Sequence, residues 1–295
     1  FAILPRLLIR HIVMAVLSLG GKPEHPLGQL QPISLEEVET TGKIGVSEPA
    51  DFSGSHLLSL AACMECGRCT DVCPANAVGK VLNPKRIVQD LRDAMTGGTG
   101  VVEAVTEEAL WDCTTCNACQ EACPVGIRHV ALIVDARRGL VAEGKMAGTA
   151  ATMLRQVGST SNAWGQAADT REEWMKGLDV PLARDGGTFD VLFWVGCAGA
   201  TDPGAVKTTR AVASLLKMSG VSFACLGREE KCTGDPVRRV GEEFLAQEMI
   251  QQNVATLTQY GVKKIVVTCP HCMNTLRHEY GPFGGTYEVV HHSEL

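Results

Sequence analysis

The sequence lacks a basic excess, an uninterrupted apolar segment and a nucleotide-binding fingerprint. Its 27 Lys and Arg residues are outnumbered by 33 Asp and Glu residues, which leaves a formal net charge of −6. Nothing therefore indicates a nucleic-acid partner, because proteins that bind nucleic acid favour a basic surface. No G-x-G-x-x-G stands between a predicted strand and a predicted helix, so we expect this chain to bind neither NAD nor flavin.

The apolar N-terminal segment, residues 1–19, is interrupted by Arg6 and Arg10. Charges in mid-segment argue against a free-standing membrane span, and the clean apolar stretch of a signal peptide is missing. The pattern favours a membrane-proximal amphipathic helix, or the end of a missing membrane domain, over a helix that packs on its own domain. The apolar side of this helix would consist of Leu7, Leu8, Ile12, Val16 and Leu17.

The next part of the chain is predicted to be a linker followed by a helical domain. Residues 20–50 are rich in Gly, Pro, Glu and Thr and lack periodicity, which predicts an extended linker. Residues 51–145 carry helix signals, such as Asn83 before Pro84, and no strand pattern. We expect helices at 53–62, at 83–95, from Thr106 toward Cys113, and at 127–142.

The sequence pattern changes in the second half of the chain. Residues 146–186 are predicted to form a connector without recognisable chemistry, and residues 187–295 alternate strand-like with helix-like stretches. Such alternation predicts βαβ units and a parallel sheet. The predicted fold class is α + α/β, an all-helical domain followed by a parallel-sheet α/β domain. Strands are expected at 189–195, 222–226, 264–268 and 287–290, and helices at 203–219 and 236–259.

Cysteine is unusually frequent, with 13 residues. In a chain of this length, tight groups of cysteines are typical of metal ligands in a reducing compartment rather than of a disulfide scaffold. Residues 63–74 and 113–124 both follow the spacing C-x₂-C-x₂-C-x₃-C-P. In two-cluster ferredoxins the fourth cysteine of such a motif ligates the other cluster. We therefore predict two [4Fe–4S] clusters: cluster 1 on Cys63, Cys66, Cys69 and Cys123, and cluster 2 on Cys113, Cys116, Cys119 and Cys73.

Structural zinc is the alternative for these two motifs. Paired C-x₂-C units also bind zinc, with four ligands per ion. Zinc has no use for the C-x₂-C-x₂-C triple, which occurs here twice, so we favour iron–sulfur clusters. Clusters of this kind pass electrons one at a time, which predicts a redox relay protein.

A further cysteine group is predicted at one edge of the sheet. Cys197 follows the first predicted strand, Cys232 the second, and Cys269 and Cys272 the third. The loops after parallel strands meet at one edge, so these four cysteines form a candidate metal site. Cys225 lies within a strand and is expected in the core. Direct roles are left open for His271, His291 and His292, and Arg238 and Arg239 either balance an anionic cluster or lie on a solvated face.

With these residues placed, the sequence resembles the membrane-bound Fe–S oxidoreductases related to heterodisulfide reductase, and within these the electron-transfer-flavoprotein:menaquinone oxidoreductases. The resemblance covers nearly the whole chain from residue 28 onward. Segments shared with many redox subunits are CMECGRCTDVCPANAVGKVLNP and DCTTCNACQEACPVGI. The resemblance also rests on FWVGCAGATDP, EKCTGDPVRRVGEEF and TCPHCMNTLRHEY, within which KCTGDP and CPHCMNTL-HEY are the more specific parts.

The resemblance implies a protein of three parts. A membrane domain with haem b would precede Phe1, the dicluster ferredoxin domain would follow, and the cysteine-rich "CCG" domain would hold a non-cubane iron–sulfur centre. Cys197, Cys232, Cys269 and Cys272 carry over as its ligands. Position 231 is Lys where the heterodisulfide reductase type has a paired cysteine. The family's second CCG repeat would begin after Leu295, so the chain is expected to be a fragment.

The function implied by the resemblance is electron transfer at the cytoplasmic face of the cell membrane. A reduced flavoprotein, such as an electron-transfer flavoprotein, would supply electrons, and menaquinone would receive them through the membrane domain. One alternative is a heterodisulfide reductase that cleaves a disulfide at the CCG centre. Another is an electron-transfer subunit of a lactate or glycerol-3-phosphate dehydrogenase.

Overall fold

The structure is a computed structural model that describes residues 10–21, 26–146 and 148–295. The described residues divide into two compact units. The first unit runs to Lys145 and includes Arg239–Gly241, and the second consists of Met146–Arg238 and Glu242–Leu295.

The first unit is helical, and within residues 10–21 and 26–145 the structure contains no strand. Asn83 caps the helix Pro84–Gly97, because its side chain accepts a hydrogen bond from the Arg86 amide at 3.1 Å and Pro84 occupies the first helical position. The helices are α1 Arg10–Gly20, α2 Leu35–Thr41, α3 Gly54–Ala62, α4 Arg68–Asp71, α5 Pro74–Ala77, α6 Pro84–Gly97, α7 Val101–Val105, α8 Glu107–Trp111, α9 Ala118–Glu121 and α10 His129–Ala142.

Segment 20–50 corrects the prediction of an extended linker, because much of it is folded and packed. Ser34 caps α2 by accepting a hydrogen bond from the Glu37 amide. The Val46 amide donates to the Asp135 carbonyl oxygen of α10 at 3.0 Å, and Leu30 is buried. The prediction failed because single buried side chains in an irregular segment produce no periodic pattern.

Helix α1, Arg10–Gly20, overlaps the segment 1–19 that the sequence predicts to be an amphipathic helix. Arg6, Leu7 and Leu8 lie outside the described residues. Met14 and Ala15 of α1 pack against the core of the first unit, whereas Ile12 and Val16 are exposed by 56% and 68%. Within the part of the chain that the structure describes, no helix has the length and apolar character needed to cross a membrane.

The second unit contains one parallel sheet, so the predicted fold class, α + α/β, is confirmed. The strands pair in the order β2-β1-β3-β4, and each neighbouring pair is parallel. Side chains alternate between two apolar clusters, with Leu192 and Trp194 in one and Val191 and Phe193 in the other, so both faces are covered. The strands are β1 Val191–Trp194, β2 Phe223–Ala224, β3 Lys264–Val267 and β4 Glu288–His291.

One predicted helix of the second half, 236–259, is interrupted. Gly241 has a φ of +98°, which a helix cannot contain, so the segment splits. The predicted connector 146–186 is also structured, with a helix and 3₁₀ turns at Ala168–Met175 and Ala183–Asp185. The helices of this half are α11 Gly148–Thr160, α12 Gly196–Thr201, α13 Pro203–Met218, α14 Asp235–Arg239, α15 Glu243–Gln259 and α16 Pro270–His278.

Candidate metal centres

Two small cavities in the first unit are lined by the cysteines of the ferredoxin motifs. The structure brings Cys63, Cys66 and Cys69 of the first motif around one cavity together with Cys123 of the second. The other cavity is lined by Cys113, Cys116, Cys119 and Cys73. Each cavity therefore holds three cysteines from one motif and the fourth cysteine of the other. This arrangement fits the crossed ligand sets that the sequence predicts. The binding of metal by these cysteines remains a prediction.

The backbone of the two motif loops has the same unusual conformation. Positive φ angles occur at Glu65 and Gly67 in the first loop, and at Thr115 and Asn117 in the second. Alternation between right- and left-handed conformations turns successive amide groups toward a common concave side, which suits an anionic group. Gly67 and Asn117 directly precede the short helices that carry the third cysteine of each motif. Both residue types tolerate the left-handed backbone conformation at low cost.

Backbone amides in these loops point at the cysteine sulfurs. The Thr115 amide donates to Cys113 Sγ at 3.4 Å, and the Ile127 amide donates to Cys123 Sγ at the same distance. Amide hydrogen bonds to sulfur are a main determinant of the potential of an iron–sulfur cluster. The sulfur donors, the concave loops and the amides together fit a [4Fe–4S] cluster at each cavity.

Burial affects the ionisation of the motif cysteines. It raises the pKa of Cys69 to about 11 and also raises the pKa values of Cys63 and Cys113. These sulfurs are therefore protonated at neutral pH until a metal displaces the proton, because thiolates are the ligating form. Assembly of the clusters should accordingly release protons.

A buried arginine fixes the turn that carries Cys113. Arg137 is 3% exposed and its guanidinium donates to the carbonyl oxygens of Leu110 and Cys113 at 2.6 and 2.7 Å. It also lies over the ring of Trp111, at 5.2 Å from its centroid. Arg137 thus satisfies carbonyl groups at the end of α8 and places a positive charge near the second cavity.

His129 lines the first cavity without adding charge to it. Burial lowers its pKa to about 4, so the imidazole is neutral at physiological pH. Its Nδ1 lies 3.1 Å from the carbonyl oxygen of Ile127, which favours the tautomer with the proton on Nδ1.

The third cysteine site, defined as Cys197, Cys232, Cys269 and Cys272, lies at the carboxyl edge of the sheet. Because β1 connects onward to β2 on one side and β3 to β4 on the other, the strand order reverses between β1 and β3. Such a switch point is where open parallel sheets bind ligands. Cys197 lies in the first turn of α12 directly after β1, and Cys269 caps α16 directly after β3.

The four cysteines of this site form two hydrogen-bonded pairs that lie near each other. Cys197 and Cys232 share a hydrogen bond, as do Cys269 and Cys272. The hydrogen bond with Cys269 and burial raise the pKa of Cys272, and the charges of Cys197 and Cys232 raise it further, so the two pairs influence each other electrostatically. Gly196 allows this approach, since a Cβ there would lie 3.3 Å from Cys272 Sγ.

Hydrogen bonding leaves one sulfur of each pair ready to act as a thiolate. The bond from Cys232 lowers the pKa of Cys197 to about 6, and the bond from Cys272 lowers that of Cys269 to about 6. Four soft sulfur donors on converging loops fit an iron–sulfur centre. The ligand assignment itself stays a prediction.

Two residues of this site, Arg171 and Glu230, were not predicted from the sequence. Arg171 comes from the predicted connector, and its guanidinium donates to Cys197 Sγ at 3.0 Å and to Glu230 Oε1 at 2.9 Å. The Glu230 carboxylate also accepts from the amides of Val195 and Gly196. Only the position of Glu230, two residues before Cys232 in the EKCTGDP segment, could have served as a signal.

The structure gives hydrogen-bond partners for His271 and His291 and places Cys225 in the core. His271 Nδ1 lies 3.0 Å from Asp235 Oδ2, so His271 contacts the first residue of α14. His291 Nε2 lies 3.1 Å from the Thr268 carbonyl oxygen and its ring lies against that of His292. Cys225 is fully buried in an apolar cluster, which confirms its place in the core.

Of the two alternatives for Arg238 and Arg239, burial excludes the solvated face. The Arg238 guanidinium forms buried ion pairs with Glu243 and Glu279 at 2.8 and 3.0 Å. Arg239 donates to the carbonyl oxygen of Gly28 at 3.1 Å. Both arginines therefore have structural partners.

Among the residues that the structure describes, no three His, Cys, Asp and Glu side chains are grouped to hold a single metal ion. A [4Fe–4S] cluster does not require such a group, since its four cysteines ligate an assembly of several irons.

Comparison with protein families identifies both cysteine-bearing regions. Residues 59–127 match the 4Fe–4S dicluster domain and residues 191–277 match the cysteine-rich CCG domain. Fold and cysteine sites thus define a protein that joins a dicluster iron–sulfur domain to a cysteine-rich domain. More particularly, the chain belongs to the iron–sulfur oxidoreductases of the CCG-domain family, related to heterodisulfide reductase.

Several curated proteins are similar to this chain. An "EtfAB:quinone oxidoreductase" of Syntrophomonas wolfei is 36% identical over 100% of this chain and 46% of its own length. A "Probable membrane-anchored ferredoxin" of Chromohalobacter salexigens is 38% identical over 90% of this chain and 44% of its own length. One component of the dihydromethanophenazine:CoB–CoM heterodisulfide reductase of Methanosarcina barkeri is 27% identical over 82% of this chain and 63% of its own length. The chain therefore spans about half the length of the first two relatives.

Proposed function

We propose that the chain relays single electrons from a reduced flavoprotein, such as an electron-transfer flavoprotein, to menaquinone. Electrons would enter at a non-cubane iron–sulfur centre on the third cysteine site. They would leave by way of the two [4Fe–4S] clusters to haem b and menaquinone in a membrane domain, at the cytoplasmic face of the membrane. When bound, the clusters supply one-electron chemistry, which divides the two electrons of a flavin into single steps.

The observation that carries this proposal is the crossed arrangement of the ferredoxin cysteines. Each motif supplies three cysteines to one cavity and one cysteine to the other. Two clusters bound in this way are held as close neighbours by the same two loops, which suits transfer between them. Since no acid–base pair is required for such transfer, the protein's task is to bind the clusters and to tune their potentials.

The choice of donor and acceptor is supported by the relatives. The name of the relative that matches the whole chain couples EtfAB to quinone, and that of another describes a membrane-anchored ferredoxin. The exposed apolar residues of α1, which include Ile12 and Val16, agree with a position near a membrane surface.

The test is a direct assay of electron transfer. The protein as the cell makes it, purified anaerobically, is mixed with chemically reduced electron-transfer flavoprotein and a menaquinone analogue. We expect rapid bleaching of the iron–sulfur absorption followed by quinone reduction, and we expect Cys69→Ser to abolish quinone reduction. If the flavoprotein stays reduced with wild type and variant alike, the proposed route is wrong.

A heterodisulfide reductase is the second candidate, because a component of such an enzyme aligns with 82% of the chain. Lys231 stands where a paired cysteine is expected in that type, and its ammonium donates to Gln252 Oε1 at 2.7 Å. Replacing a thiolate ligand by this lysine removes one sulfur from the site. We therefore expect no oxidation of the reduced protein by the CoB–CoM heterodisulfide, and turnover with this disulfide would favour the second candidate.

A further inference from the structure

Arg171 reaches the third cysteine site from a part of the chain without any cysteine. Its side chain is 3% exposed and donates hydrogen bonds to Cys197 Sγ, to Glu230 Oε1 and, at 3.4 Å, to the carbonyl oxygen of Ser161. Burying a guanidinium is costly unless its donors are satisfied by specific partners. The Cys197 sulfur is therefore one of the specific partners that compensate for the burial of this cation.

We propose that Arg171 is a positioning residue of the third centre, which orients the Cys197 sulfur and places a buried positive charge beside it, so that the reduction potential of the centre is raised. The proposal rests on the ligand assignment made in the proposed function. It adds a residue that acts through Cys197 and sets the driving force for entry of an electron.

The direction of the effect follows from charge. Reduction adds one negative charge to the centre, and a fixed cation a few ångströms from a ligand sulfur stabilises that charge, the more so in a medium of low dielectric constant. A hydrogen bond to a ligand sulfur acts in the same direction, because it withdraws electron density from the metal. Removing the guanidinium should therefore lower the potential.

Glu230 provides the opposite charge in the same contact. It is 3% exposed, and its carboxylate binds Arg171 while accepting hydrogen bonds from the amides of Val195 and Gly196 at 2.9 and 2.8 Å. These amides belong to the loop that carries Cys197. Neutralising Glu230 leaves the arginine charge beside the sulfur without its counterion, so the potential should rise.

The two expected shifts in reduction potential have opposite signs, and this distinguishes an electrostatic role from a purely structural one. Arg171→Gln and Glu230→Gln both break the same ion pair, so a mere brace between the loops would respond alike to both. A charge acting on the centre would respond with shifts of opposite direction. Both replacements retain polar atoms at the ends of the side chains.

The matched control is Arg184→Gln. Arg184 forms an ion pair with Glu172 in the same unit, with 2.5 Å between Nη1 and Oε1, and its partners do not include the cysteines of the site. Because Arg184 is partly exposed, we expect Arg184→Gln to change the stability of the protein only slightly. The reduction potentials of this variant should equal those of the wild type.

The experiment is a redox titration monitored by low-temperature EPR, with iron and sulfide analysis, on the anaerobically purified protein. We expect Arg171→Gln to shift the third centre to a lower potential and Glu230→Gln to shift it to a higher one. The two [4Fe–4S] clusters should titrate unchanged in every variant. Should Arg171→Gln lose its iron at this site, the sign of the shift in Glu230→Gln decides: a rise supports the proposal.

Three outcomes would overturn the inference: equal potentials in all variants, shifts of the same sign in the two, or a wild-type protein without metal at this site. The titration uses neither flavoprotein nor quinone. A failed electron-transfer assay combined with opposite shifts would therefore reject the proposed donor and acceptor while leaving the role of Arg171 in place.

Discussion

At the scale of single residues, Cys123 gives the sharpest test of the cluster assignment. It stands in the second motif, yet its side chain lines the cavity of the first. We expect Cys123→Ser to remove the signal of cluster 1 and to leave that of cluster 2, because a serine hydroxyl is a poor substitute for a thiolate ligand. Low-temperature EPR of the reduced protein, with iron counted per chain, measures this.

Two companions make this result decisive. Cys73→Ser should show the reverse pattern, since Cys73 lines the other cavity. Cys225→Ala should keep both signals, because Cys225 lies in an apolar cluster of the other unit. Loss of cluster 2 alone in Cys123→Ser would mean that each motif supplies all four ligands of its own cluster.

The ferredoxin cysteines could be predicted because their spacing along the chain is local. The cysteines of both motifs stand within a few positions of one another, so their spacing reports the shape of a loop around a cluster. Arg171 has no such signature, because it lies 26 residues from Cys197 along the chain and stands among other charged residues. Only folding brings the two together.

The same contrast holds at the scale of elements. Strands β1 and β3 were predictable, because runs of buried β-branched and aromatic residues produce a pattern of their own. The break between α14 and α15 was not, since one glycine with positive φ interrupts an otherwise helical pattern. The packed part of segment 20–50 was missed because isolated buried side chains, such as those of Leu30 and Val46, produce no periodic pattern.

Gly139 of α10 is expected to allow the close packing of segment 20–50 against this helix. A Cβ added to Gly139 would lie 2.8 Å from the carbonyl oxygen of Val46, which is backbone and cannot turn aside. Although alanine favours a helix, we expect Gly139→Ala to reduce the free energy of unfolding by about 1–3 kcal/mol through this overlap. Thermal unfolding of the anaerobic protein measures the change.

Gly158 of α11 is the control for this prediction, since a Cβ there would meet nothing within 4 Å. Gly158→Ala should stabilise the protein by about 0.5–1 kcal/mol through helix propensity alone. If both alanines stabilise, segment 20–50 is not packed against α10 as described.

At the scale of the whole molecule, each unit has its own apolar core and its own cysteines. The ferredoxin cysteines and their cavities belong to the first unit. The third cysteine site belongs to the second unit. A centre in one unit should therefore assemble when the centre in the other is missing, and this separation makes the order of electron transfer accessible to experiment.

We expect Cys272→Ser to disconnect the two [4Fe–4S] clusters from the flavoprotein without removing them. Cys272 shares a hydrogen bond with Cys269 within the predicted ligand set of the third cysteine site, so its loss should prevent metal binding there, while iron and sulfide at the two clusters stay at the wild-type level. A strong chemical reductant should still bleach the clusters, whereas reduced electron-transfer flavoprotein should not. Stopped-flow absorption with both reductants separates these steps. Bleaching by the flavoprotein at the wild-type rate would show that electrons enter directly at the ferredoxin unit, and the third centre would then lie outside the relay.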